Sequence, residues 1–325
     1  MKKIVSLVVI SVLILGLAVV NITSVEAADV EIKDEYHFVM VPKTVHPWFD
    51  EVLKGAKEQA EVYEEIYDTE IKIDFRAPED PSVEDQNKLL EEAAALEVDG
   101  ITVDLLDAEA NKVILEEIQS LDIPLVIFDS IPPEGMDVPY VGNDFKEQAR
   151  LAAEELVDRL DEEGKVAIMD GVPEAPNHQQ RTESYEETFA KYDDIEVVAT
   201  GLAQDDIATA QEEASAIMSA HPDLDGFVFS DAAGPIGTGR AVLEAGKEDE
   251  IEVIGLEDLP QTLELFEEGV IDWSSCVKPR MQGKMFVKLL MHENFGFDSP
   301  QEVDTGIKII TEEDIPEDID DYKSG

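Results

Sequence analysis

An α/β protein built from two similar, doubly wound parallel-sheet lobes is the fold class that the sequence predicts, on three observations. Short β-rich apolar runs alternate with longer stretches of helical period, strand before helix throughout. A weak internal repeat links the two halves. Asp99-Gly100 leads through an apolar run to Asp104 and, after a helix, to Asp129; Asp225-Gly226 leads in the same way to Asp231 and then Glu257. The third observation is length: 325 residues exceed the size at which single cores stop growing, about 250 to 300.

The elements follow in order. The run Phe38-Val39-Met40-Val41 reads as a first strand, and Pro47, suited to a first helical turn, precedes a helix over 49–63. Strands over 71–75, 101–103 and 125–128 alternate with helices over 83–96 and 108–121. Tyr140-Val141-Gly142-Asn143 reads as a short strand between the lobes. The second half repeats the alternation, with strands over 166–169, 196–199, 227–229 and 253–256. Its helices are expected over 146–160, 182–192, 207–220, 236–245, 259–268 and 281–292. Gly237-Thr238-Gly239 reads as a tight turn and helix start, because a dinucleotide fingerprint would need a third glycine. The acidic stretch 312–321 lacks the frame of a calcium loop and reads as a solvated end.

Composition narrows the function classes. The 76 acidic against 24 basic residues give a formal charge of −52, which excludes nucleic acid and anionic membrane surfaces as partners. With 44% hydrophobic residues in periodic blocks, the charge marks a globular protein with a very acidic surface. The single cysteine, Cys276, rules out an internal disulfide and a cysteine-rich zinc site and is expected to be a small buried residue. Residues 1–27 read as an export signal: Lys2 and Lys3 start it, 4–20 are almost unbroken apolar, and Val25-Glu26-Ala27 offers a cleavage site. The alternative is a retained anchor, since 17 apolar residues sit at the lower limit for a span. No cysteine follows the run, so no lipid anchor is expected, and the mature chain should begin at Ala28 outside the cytoplasmic membrane. Losing Lys2, Lys3 and Glu26 leaves it at −53, and such self-repulsion is relieved by screening. Stability in urea or on heating is therefore expected to rise from about 0.01 M to about 1 M sodium chloride, as the Debye length shrinks from about 30 to about 3 Å. A flat or falling midpoint would remove the halophilic reading of the surface.

In open parallel sheets ligands bind beyond the carboxyl ends of the strands. The residues following the apolar runs are Lys43, Asp104, Asp129, Asp170, Asp231 and Glu257, all able to hydrogen-bond a polar ligand, although acidic residues also commonly begin such loops as helix caps. The segment Lys43-Thr44-Val45-His46-Pro47-Trp48-Phe49 sets two aromatics side by side at a helix start. Neighbours there point about 100° apart, so both cannot belong to one buried stripe and at least one should face the cleft. Aromatic faces pack on the C–H faces of sugars while carboxylates and guanidinium satisfy hydroxyls. Arg181, one of six arginines, is placed by Asn177-His178-Gln179-Gln180-Arg181 in the loop before the 182–192 helix, as a fork for hydroxyls or a carboxylate. No nucleophile elbow, phosphate loop or His-x-x-x-His pair occurs, and the five histidines are widely spread, so no catalytic group, metal or cofactor is expected.

Taken together, these residues resemble the periplasmic sugar-binding proteins of the ribose-binding type, solute receptors of ABC importers with the type I periplasmic binding protein fold. The resemblance runs from Tyr36 to about Ile310 and is carried by Val41-Pro42-Lys43, His46-Pro47-Trp48-Phe49, Val126-Ile127-Phe128-Asp129, Val141-Gly142-Asn143-Asp144, Arg181 with Tyr185, Phe229-Ser230-Asp231 and Val253-Ile254-Gly255-Leu256-Glu257. It implies two lobes joined by a three-crossing hinge near Gly142, Val277 and Thr305. The N-terminal lobe would take 28–142 plus 278–305 and the C-terminal lobe 143–277 plus 306–325. It sets Trp48 and Phe49 against the sugar ring, and Asp129, Arg181, Asp231 and Glu257 on the hydroxyls; Lys43, His46 and Asp104 join the candidate set by their places after the first and third strands. His46 stands where ribose binders have Asn, Ser130 where they have Arg, Glu257 where Asp is usual, and Val277 where Gln is common, so the sugar itself is not assigned. The implied protein is a monomer that delivers a sugar or polyol to a permease. The competing implication is a sensor docking on a chemotaxis or kinase receptor.

Overall fold

The computed structural model describes residues 31–316; the expected signal 1–27 and the end of the acidic stretch lie outside the described residues. The chain first builds β1 (Glu35–Val41), α1 (Pro47–Tyr67), β2 (Glu70–Phe75), α2 (Val83–Ala94), β3 (Gly100–Val103), α3 (Ala108–Ser120), β4 (Leu125–Phe128) and β5 (Tyr140–Gly142). It continues through α4 (Phe145–Arg159), β6 (Glu163–Asp170), α5 (Pro176–Phe189), β7 (Asp194–Leu202), α6 (Ile207–Ala220), β8 (Gly226–Phe229) and α7 (Ala233–Ala245). Then follow β9 (Glu252–Val253), β10 (Gly255–Leu256), α8 (Pro260–Glu267), β11 (Trp273–Cys276), α9 (Pro279–Asn294), β12 (Glu302–Asp304) and β13 (Lys308–Thr311).

Strands β3, β4 and β8 are buried at every position, as parallel strands covered by helices on both faces must be. The first sheet runs β12-β5-β4-β3-β1-β2, all parallel. The second lobe holds a four-stranded parallel sheet, β7-β6-β8-β9, and a separate three-stranded one, β10-β11-β13, in which β13 is antiparallel to β11. In both lobes the first strand lies between the second and the third, so each has a switch point where the connections part to opposite sides.

The repeat read from the sequence has a geometric basis. Asp99 exchanges two hydrogen bonds with His37 on β1, through its backbone N–H (2.8 Å) and its carboxylate (2.7 Å). Asp225 does the same with Lys165 on β6, at 2.8 and 2.7 Å. The glycine after each lets a helix lie close: a Cβ on Gly100 would meet Leu290 of α9 at 2.8 Å, and one on Gly226 would meet Leu156 of α4 at 2.6 Å. Helix α9 therefore covers the first sheet and α4 the second; α4 directly precedes the strands it covers, whereas α9 comes from the far side of the second lobe's strands.

Several expectations need correction. Helix α5 begins at Pro176, six residues before the predicted start, so Arg181 lies in a helix and not in a loop. The segment Asn177-His178-Gln179-Gln180-Arg181 has no apolar stripe because the buried side of this first turn carries polar side chains. Gly237-Thr238-Gly239 lies within α7; Gly237 is small because a Cβ there would meet the Ile207 carbonyl at 2.4 Å. The strand expected over 253–256 is broken at Ile254 into β9 and β10. Strands β11, β12 and β13 were not predicted: Ser274 and Ser275 interrupt the apolar run of β11, and β12 carries acidic residues at its edge position. Of the acidic stretch, Glu312–Asp314 form a 3-10 turn closed by a capping box with Thr311.

Candidate functional site

The carboxyl ends of β1, β3 and β4 face those of β6, β8 and β10 across the lobes, and the residues just past them converge. Lys43 follows β1, is 3% exposed, and sets its ammonium 3.5 Å from Asp104, which follows β3. Asp104 does not line the cavity; it lies fully buried behind Lys43, gripped by the Ser130 hydroxyl at 2.6 Å, which in turn accepts from the Leu105 N–H at 2.7 Å. The second lobe repeats this clasp, with Ser230 donating to Asp170 and accepting from the Gly171 N–H at 2.9 Å.

Arg181 donates through Nη1 to the Ser230 carbonyl (3.0 Å) and through Nε to Gln148 Oε1 (2.9 Å), while its guanidinium lies 4.8 Å from the centre of the Phe145 ring. Asp129 and Glu257, equivalent positions in the repeat, both hold left-handed backbones, with φ of 49° and 69°. A non-glycine residue there costs about 1 to 3 kcal/mol, a conformation that persists only where the surroundings fix it. Asp129 accepts from Asn177 Nδ2 (2.8 Å) and Gln282 Nε2 (3.1 Å). Glu257 accepts from Trp48 Nε1 and Gln148 Nε2, each at 3.3 Å, and from the Val277 N–H at 3.2 Å.

His46 caps α1 by accepting the Trp48 N–H on Nδ1 at 3.2 Å, which leaves its Nε2–H toward the cavity without a protein acceptor. Trp48 and Phe49 are both buried and both line the cavity. They manage it because the helix starts between two buried surfaces: Phe49 packs edge-on against Phe128, and Trp48 packs edge-on against Phe49 while reaching across to Glu257. Asp231 follows β8 and accepts from the Gly234 N–H at 2.9 Å. The partly open cavity among these groups measures about 30 Å³. Lys43, His46, Trp48, Phe49, Asp129, Arg181, Asp231 and Glu257 all line it.

Four further residues were not singled out from the sequence. Asn177 and His178, one turn before Arg181, line the same cavity, as does Asp205, and Gln148 ties Arg181 to Glu257. The Val172 N–H donates to His178 Nδ1 at 2.8 Å, which puts the imidazole proton on Nε2, 3.7 Å from Asp205 Oδ1. The signal for Asn177 and His178 was the polar run after Pro176. Asp205, in a left-handed Gln204-Asp205 turn after β7, had none.

Burial shapes the electrostatics. It opposes the charge on Lys43, but Asp104, Asp205 and Asp129 outweigh it and the ammonium's pKa is raised. Burial, joined by Lys43, holds His178 well below the ordinary histidine value, so the ring is neutral. Burial also pushes Glu257 up to about 8 against the opposing pull of Arg181. A carboxyl raised in the folded state stabilises fully below its unfolded value near 4.5, and that contribution is lost as pH rises through about 8. Urea unfolding between about pH 5 and about 8 is therefore expected to show a smaller loss of stability in Glu257→Gln than in the parent. Equal losses would mean that this carboxyl is not the titrating group.

Residues 37–293 match the model of a family described as periplasmic binding protein domain. A glucose-galactose binding protein from Geobacillus stearothermophilus has a structure similar to this one, with a TM-score of 0.80 and 28% identity, covering 87% of this chain and 100% of that one. The D-ribose/D-allose-binding protein of Pseudomonas aeruginosa is 25% identical over 190 residues, 57% of this chain and 59% of that protein. The D-apiose import binding protein of Actinobacillus succinogenes is 24% identical over 220 residues, 67% and 68% of the two. These relatives are named as binding proteins. With a family match over most of its length and two doubly wound lobes meeting at a polar cleft, this chain belongs to the periplasmic binding protein domain family.

Proposed function

We propose that the protein is an extracytoplasmic solute-binding protein that captures a sugar or related polyol between its lobes and hands it to an ABC-type importer, with no chemistry of its own. One observation carries this reading. Hydrogen-bonding groups from both lobes, Asp129 on one side and Asn177, Arg181, Asp231 and Glu257 on the other, converge on one small cavity beside two aromatic rings. The relatives named for ribose, allose and glucose or galactose support it. Because Asp129 to Asn177 and Trp48 to Glu257 bond across the lobes at the cavity, a sugar that enters between the lobes does so as these pairs part. Sugar hydroxyls then take over those hydrogen bonds, and closure follows the ligand's differential contacts with the closed form.

The lobes are proposed to divide at 142, 277 and 305, with export directed by residues 1–27. Sheet membership supports the three crossings: β5 and β12 lie in the first sheet, while α4, β11 and β13 pack in the second lobe. A thermal-shift panel of pentoses, hexoses, deoxysugars and inositols tests the function, since a ligand bound only by the native state raises the melting temperature. A binding sugar should also make the protein more compact in small-angle scattering. A panel without a single shift would count against the proposal.

A further inference from the structure

We propose that the ligand carries an ammonium group seated on Asp205 and Asp231, so that the cleft selects an amino sugar or amine-bearing polyol over its neutral counterpart. The inference rests on the cleft being a sugar site and names what that sugar must present.

Asp205 and Asp231 both line the cavity, near enough that the charge of Asp205 helps raise Asp231. Ionised carboxylates only accept, so such a pair needs a hydrogen between the oxygens. Within the protein the one hydrogen available is the acid proton that burial and Asp205 keep on Asp231; no other donor reaches Asp205 Oδ2 or Asp231 Oδ2, both buried. Asp231 is 2% exposed and its other oxygen is already taken by the Gly234 N–H. Both residues line the cavity, so any further donor must come with whatever enters it.

A hydroxyl offers a single hydrogen. An ammonium offers three, and its charge lets both carboxyls ionise together, giving charge-assisted hydrogen bonds.

The protein's own cations serve other carboxyls as well. Lys43 divides its charge among Asp104, Asp205 and Asp129, with its ammonium 3.5 Å from Asp104 and donating to Asn177 Oδ1 at 3.3 Å. Arg181 sets its charge against Asp129 and Glu257 instead of this pair, and turns Nε and Nη1 to Gln148 and the Ser230 carbonyl. Burial lowers the pKa of both His46 and His178, so neither imidazole adds a competing charge.

The approach has the same sign. Outside the cavity a groove of about 690 Å³ opens between the lobes, sharing Asp205 with it. Glu79, Asp80, Glu174 and Asp206 line that groove, and none of its lining residues is basic. Such a mouth concentrates cations in front of the site and speeds their capture.

Calorimetric titration at near-neutral pH and fixed salt decides the matter with matched pairs: D-galactose and 2-amino-2-deoxy-D-galactose, D-glucose and 2-amino-2-deoxy-D-glucose, sorbitol and 1-amino-1-deoxysorbitol. In at least one pair the amine should bind about tenfold or more tightly than its neutral partner, with protons released on binding as the acid proton of Asp231 is displaced. Asp205→Asn should bring that ratio toward parity. Neutral members binding as tightly as their amines would overturn the inference while leaving the sugar-binding reading in place. Binding by no member of either kind would overturn both.

Discussion

Arg181→Ala is expected to weaken binding of the cleft's sugar by about 2 to 5 kcal/mol, or about 30-fold to several thousandfold. The guanidinium is 3% exposed and lies on the cavity wall, held at a fixed angle by Gln148, the Ser230 carbonyl and the Phe145 ring. Its removal takes a charged donor from the ligand and leaves Gln148 Oε1 short of a partner in a dry site. Arg181→Lys is expected to recover little, because one ammonium cannot serve two diverging acceptors and stack on a ring as well. Calorimetric titration with the sugar found by thermal shift measures the loss, and the unfolding midpoint of each variant separates it from loss of fold. Titration curves unchanged from the parent would sink the assignment of Arg181 to the site.

The largest expected effect on stability comes from Asp104→Ala. This substitution strands the Lys43 ammonium in a site only 3% exposed, and breaking a buried pair from one side costs about 3 to 5 kcal/mol. Adding Lys43→Met is expected to restore much of that loss, since removing both charges also removes the burial that each imposed. Urea midpoints of the parent, the single and the double variant give the answer. An Asp104→Ala midpoint equal to the parent's would show that Asp129 and Asp205 hold the lysine without it.

The alternation of apolar runs carried the layering of both lobes, and the Asp-Gly pairs carried their kinship. Both were legible because parallel strands bury both faces and because Gly100 and Gly226 each make room for a helix. What periodicity could not show is where polar residues are interior. Helix α5 starts with Asn177, His178 and Arg181 turned inward, so its first turn looks like a loop to any count of apolar positions. Strand β11 is buried with two serines in it, because Ser274 donates to the Glu257 carbonyl at 2.7 Å. The strand-end positions Lys43, Asp129, Asp231 and Glu257 could be named in advance since the switch-point rule depends on order alone. Asp205 could not, because it follows β7, away from the switch point, and reaches the cavity through a left-handed turn.

The late arrival of α9 sets a timetable for synthesis. Strands β1 to β5 are made first, yet the face bearing Phe38, Val126 and Phe128 is closed by α9, and β12 adds the sheet's last strand. About 150 residues separate β5 from the end of α9, which at about 5 to 20 residues per second is roughly 10 to 30 seconds of elongation. The second lobe waits far less, because β6 to β11 and their helices are contiguous apart from the edge strand β13. The earliest-made lobe is thus the last to become self-supporting. For an exported protein this lag keeps the leading half of the chain threadable through a membrane pore until almost all of it has been made.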